Sequence, residues 1–163
     1  AIGASAKATN SYSVAIGNWA LSDVVGKMAY AAGNFAVVGD KQQGTYVIGA
    51  STTNATPISM GSGYTIANNS AQTFNGLIVA RQQVAGGTQS AAWRIEGLII
   101  RGATAATTTL VASNIVVISN TPAWSIALSA GTSVGNLIIT VTGAAATKIR
   151  WVASITTSEV VYA

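Results

Sequence analysis

Four carboxylates are all that the chain offers for acid–base chemistry: Asp23, Asp40, Glu96 and Glu159. Cleavage of a glycosidic bond needs two such groups facing each other about 5–10 Å apart across a cleft. Asp23 and Asp40, 17 positions apart, are the pair that stacking on one side of a roll, or facing across three chains, would bring together. The competing reading makes both of them acceptors of turn hydrogen bonds, the commoner work of Asp, and it is preferred here. Glu96 falls between Arg94 and Arg101 in a strand pattern, where an ion pair on a sheet face or at a subunit interface accounts for it.

Cys and His are both absent, which excludes disulfides, His-dependent triads and the usual zinc sites. Gly61-Ser-Gly63 and Gly86-Gly87 lack the spacing of a phosphate-cradling loop. No Ser or Thr has a base partner in the pattern. The expectation is a protein that is not an enzyme, with no catalytic residues, cofactor or metal.

Aromatic side chains are the remaining handles for binding. Trp93 and Trp151 sit on alternating strand patterns and are expected in the core. Trp124 follows Asn120-Thr121-Pro122-Ala123 and is expected beside a loop. Trp124, Asn120 and Thr121, with Tyr64 from a polar connector, form the candidate receptor-binding set. Trp19 and Tyr30 stand among polar residues, and both sugar stacking and packing between chains are open for them.

These residues must be held by strands. Ala-Ile-Gly recurs at 1–3 and 15–17, Val-Val-Gly at 24–26 and 37–39, and Val-Ile-Gly at 47–49, with the glycines 14, 9, 13 and 10 apart. Short repeats of this kind mark a stacked, quasi-one-dimensional architecture, and residues 1–49 are read as a short β repeat module. The unequal spacing suggests rungs of unequal length. Residues 50–65, rich in Ser, Thr, Asn and Gly with Pro57, are read as a connector. Beyond them, period-two patterns over 73–84, 93–101, 110–119, 124–128, 135–142 and 148–157 predict a β-sandwich over 66–163, jelly-roll-like, with 143–147 as the loop of a hairpin joining the last two strands. Helical periodicity is absent, so the fold class is all-β: a short-rung β-roll or β-prism-like repeat followed by an antiparallel sandwich.

Half of the 163 residues are apolar and only 7% are charged, against about 25% in ordinary soluble domains. Part of the surface is therefore expected to be buried between subunits, the alternative being a monomer coated with Ser, Thr and Asn. The net charge of +4 would become +12 in a trimer. The eight bases form no run, so no nucleic-acid partner is expected. No stretch reaches the roughly 18 apolar residues of a membrane span, so no membrane insertion is expected either. The chain opens inside a repeat unit without an initiator Met, and reads as the C-terminal part of a longer repetitive protein.

Ala8-Thr-Asn-Ser-Tyr-Ser-Val-Ala-Ile-Gly17 resembles the head repeats of trimeric autotransporter adhesins. Heads of that family are three-chain, left-handed parallel β-rolls. Trp93-Arg-Ile-Glu-Gly-Leu-Ile-Ile-Arg-Gly102, Thr140-Val-Thr-Gly143 and Lys148-Ile-Arg-Trp-Val-Ala153 together resemble the terminal domain of bacteriophage tail fibres. These resemblances imply a homotrimer, intertwined or side by side, joined to the rest of a fibre before residue 1. They imply a virion protein made in the bacterial host cytoplasm. Its tip would bind host-surface polysaccharide, capsular or lipopolysaccharide, or another host receptor. Two alternatives stand beside that reading: a trimerisation and capping domain without receptor contact, and a polysaccharide-degrading tailspike using Asp40 in a carboxylate pair between chains.

Overall fold

The computed structural model describes residues 1–61, 64–83, 89–120 and 124–162. Among them the strands are β1 (Lys7–Ala8), β2 (Val14–Asn18), β3 (Leu21–Ser22), β4 (Met28–Ala32), β5 (Lys41–Thr52), β6 (Ile58–Ser59) and β7 (Tyr64–Thr65). They continue with β8 (Ser70–Gln82), β9 (Ser90–Arg101), β10 (Thr109–Ser119), β11 (Ser125–Gly131), β12 (Asn136–Thr142) and β13 (Ile149–Val161). No α-helix occurs among the described residues. The protein is all-β, as its periodicity predicts.

The first 32 residues stack in parallel at one fixed step. Ile2 bridges Ile16, Lys7 pairs with Leu21, and Val14 through Asn18 pair with Met28 through Ala32, each partner 14 residues on. The unequal rungs expected from the glycine spacing are not what forms. Val24-Val25-Gly26 makes a turn instead of a strand, with Gly26 at φ +73° and its N–H donated to Ser11 O at 3.2 Å. The third copy of the Ala-Ile-Gly beat is Ala29-Tyr30-Ala31, which contains no glycine.

Close stacking dictates small residues. Gly17 has φ +101°, and a Cβ added there would run into the carbonyl of Ala31, just as one on Gly3 would meet the carbonyl of Gly17. The interior of the stack is alanine: Ala15, Ala20, Ala29 and Ala31 are buried, with Ala6 and Ala8 packed against them.

After Gly39 the chain reverses and β5 runs antiparallel to β4. The module boundary expected at residue 49 therefore lies inside a continuous strand, and the stretch read as connector holds the end of β5, then β6 and β7. A seven-stranded sheet forms in the order β10-β9-β8-β13-β5-β4-β2, antiparallel except for the β2/β4 pair. A second, antiparallel sheet has the order β11-β12-β6, with β7 also on β12.

Alternation fixes what lies between the two sheets. Trp93, Ile95 and Ile99 of β9, Phe74 and Ile78 of β8, and Ile149, Trp151 and Ile155 of β13 face inward onto Leu137, Ile139 and Val141 of β12. Trp93 stacks on Trp151 with centroids 5.6 Å apart, and Trp151 Nε1 donates to Thr52 Oγ1 at 3.0 Å. Burying an indole contributes a few kcal/mol only when its N–H is satisfied, and Thr52 does this for Trp151. The last two strands do not form the expected hairpin. Residues 143–147 carry the chain from β12 in one sheet to β13 in the other.

Candidate functional site

The expected receptor set does not assemble on the surface. Trp124 and Tyr64 are each 1% exposed and belong to the shared core. The Asn-Thr-Pro run before Trp124 suggests a loop, yet its ring lies 6.0 Å from that of Trp151. Tyr64 stacks on Tyr46 with centroids 4.4 Å apart. Neither ring can present a face to a ligand. Asn120 is exposed and donates through Nδ2 to Trp124 O at 3.2 Å. Thr121 lies outside the described residues.

The carboxylates divide in the same way. Asp40 is buried and accepts backbone N–H bonds from Phe35 (2.9 Å), Ala36 (2.6 Å) and Val37 (2.8 Å). Burial works against its charge, but those N–H groups and the nearby Lys41 outweigh it and hold the carboxyl below its usual range. It is a turn acceptor, as preferred above. Asp23 is exposed, 3.9 Å from the Lys27 ammonium. Glu96 does not need either flanking arginine: it accepts from Asn114 Nδ2 at 2.9 Å. Arg101 donates to the carbonyls of Ile66 and Val134.

Glu159 anchors a buried polar node where the parallel stack meets the large sheet. Its Oε2 accepts from Lys27 Nζ at 2.6 Å and Gln42 Nε2 at 2.7 Å, and its Oε1 accepts from Thr157 Oγ1 at 2.6 Å and Tyr46 OH at 3.3 Å. Burial first, then the Glu159 charge, pushes both Tyr46 and Tyr64 above the usual phenol range, so Tyr46 stays a donor. With both oxygens saturated, Glu159 is built to hold structure and not to move protons.

The outward face of the large sheet carries a groove of about 600 Å³ at the end nearest this node. Its floor is one register row across five strands: Tyr30 (β4) opposite Gln43 (β5), opposite Ser158 (β13), opposite Thr73 (β8), opposite Leu98 (β9). The groove opens at a fork. β4 pairs with β5 only from Met28 to Tyr30, while Ala31 and Ala32 continue to pair with β2 and leave Gln42 and Lys41 to β13. Tyr30 is 54% exposed at one side, and Lys41, whose Nζ lies 5.0 Å from the Phe35 ring centroid, closes one end.

An exposed phenol, an amide, two hydroxyls and an ammonium can stack on and hydrogen-bond a neutral, hydroxyl-rich ring. Glu159 is the carboxylate of the lining, and it is committed to the node. Of these residues the sequence singles out Tyr30 alone. Gln43, Thr73 and Ser158 are ordinary strand residues until register places them in one row.

Farther along the same face lies an apolar band. Val47, Leu77, Val79 and Val152 are 70%, 59%, 52% and 46% exposed on three adjacent strands. Thr45, Thr156 and Asn75 separate this band from the groove row. No known protein family matches the chain, and no curated protein is found similar to it.

Proposed function

We propose that this chain is the receptor-binding end of a bacteriophage tail fibre, a homotrimer that attaches a virion to sugars on the bacterial surface. In this reading the parallel stack is the end of a β-roll that holds out a jelly-roll-like tip. The observation that carries the proposal is the composition of the large sheet's outward face. The apolar band is suited to packing between copies, and the groove is suited to a sugar ring. Three weak sites on one rigid particle give attachment by avidity, with no need for a deep pocket. The capping alternative uses the same band and leaves the groove without a ligand. The tailspike alternative loses ground because the Asp40 carboxylate is buried as a turn acceptor.

The test is a purified chain of trimer mass by sedimentation, applied to a panel of immobilised capsular and lipopolysaccharide glycans. Tyr30→Ala is expected to weaken binding by about tenfold, as removal of one stacking contact does in each of the sites. Binding to no glycan by a well-formed trimer would favour the capping alternative, and a monomer would remove both.

A further inference from the structure

No charged residue lies between Arg101 and Lys148, more than a quarter of the chain, where about a dozen would stand at the ordinary level of about 25%. That run builds β10 and β11, the outermost strands of the large and the small sheet. Neither strand holds the Lys or Pro that blunts a sheet edge. The long strands β5, β8, β9 and β13 all carry buried positions, whereas β10 has none along its 11 residues. Val111, Val117 and Ile118 are each more than half exposed, and Ile115 is exposed among them. Leu110, Ile126 and Leu128 are only partly buried where they pack against the core. The sandwich is therefore open along the side that β10 and β11 share. Among the described residues, no strand pairs with the outer edge of either. Alternate N–H and C=O groups there point away from their own sheets. Another strand edge satisfies them while the apolar side chains beside them are covered.

We infer that the β10–β11 side of the sandwich is a docking surface for further copies of this chain, the free edge of β10 in one copy pairing with the free edge of β11 in the next. Neither strand carries a charge that would select an oppositely charged partner or repel a second copy. Their usable lengths are comparable. β10 keeps an unbroken register with β9 from Ala112 to Val117, between irregularities at Val111 and Ile118, and β11 has 7 residues. At about 3.3 Å per residue and with packed sheets about 10 Å apart, this side offers several hundred Å² per copy, on the order of the ~800 Å² that each partner gives to a standard interface. Pairing β10 with its own counterpart would close a dimer about a twofold axis and leave β11 bare. Pairing β10 with β11 joins two different surfaces, the kind of contact that closes a ring of three. The inference rests on the homotrimer of the proposed function and gives it a contact separate from the apolar band and the groove.

The test follows assembly of the full chain, Val117→Lys, Val25→Lys and Leu77→Glu/Val152→Glu by sedimentation equilibrium, with amide hydrogen exchange on the same samples. Val25 is an exposed valine in the parallel stack and serves as the control for added charge. The parent should have trimer mass and exchange slowly throughout 109–119 and 125–131, where bare edges would leave alternate amides exchanging fast. Val117→Lys should weaken association by at least about thirtyfold, the loss of one buried anchor, and release those amides. Undiminished protection of β8 and β13 in the same variant would show that its fold is intact. Val25→Lys should associate as the parent does. A dimer, fast-exchanging edge amides in a parent trimer, or an assembly that withstands Val117→Lys would each overturn the inference. If that assembly is broken by Leu77→Glu/Val152→Glu instead, the trimer of the proposed function survives through its apolar band.

Discussion

The Lys27 ammonium has left water for a carboxylate 132 residues away in the chain. Such a pair contributes little beyond what an apolar substitute would, but halving it strands a charge in the interior. Lys27→Met should therefore lower unfolding free energy by about 3–5 kcal/mol, while Lys27→Met/Glu159→Met should recover most of that loss. Urea titrations at one fixed protein concentration would check this, and equal stability of single and double variants would refute the role given to the node. The pair was invisible in the sequence because nothing local marks two distant residues as partners. Trp93 and Trp151, by contrast, were legible as core from strand alternation alone. Trp124 and Tyr64 were not, because polar neighbours in sequence read as a loop signal and say nothing of the sheet that covers these rings.

At the scale of elements, the 14-residue step is the organising fact of the first 32 residues. It was present in the sequence as the spacing of the first two Ala-Ile-Gly copies. The Val-Val-Gly triplets obscured it, since a glycine after two valines looks alike in a strand and in a turn. Gly17→Ala would put a Cβ where the Ala31 carbonyl already sits, at a φ that side chains avoid. A loss of about 1–3 kcal/mol or more is expected. Ala31→Gly, at the equivalent position one step on, should cost less than about 1 kcal/mol. Thermal unfolding of the two variants followed by circular dichroism separates these outcomes. Strand identities after residue 66 were largely legible, but their allotment to sheets was not. Periodicity reports which face of a strand is buried, whereas pairing depends on distant partners, so β12 and β13 read as a hairpin although they lie in different sheets.

For the whole molecule, sparse charge predicts a covered surface, and the band of Val47, Leu77, Val79 and Val152 is where such a cover would lie. The sequence could not point to this face, because each of these residues alternates with buried neighbours and looks like an ordinary strand position. In the proposed trimer, placing charges there should break association without unfolding the subunit. Leu77→Glu/Val152→Glu is expected to sediment as a monomer with an unchanged far-ultraviolet spectrum. A variant that keeps the parent's mass would move the interface elsewhere.

The position of β13 also constrains how the molecule comes into being. It is the last strand in chain order, yet it stands fourth of seven in the large sheet, with β8 on one side and β5 on the other. Until it arrives, β10-β9-β8 and β5-β4-β2 are two unconnected half-sheets, each with an open edge, and Lys27 waits without its carboxylate. The pairing that joins them spans most of the polypeptide, the kind of closure that slows folding and leaves edges open to other chains. Pairing of β13 is thus the contact that joins the two halves of the large sheet, and its long sequence separation from β5 and β8 predicts slow folding.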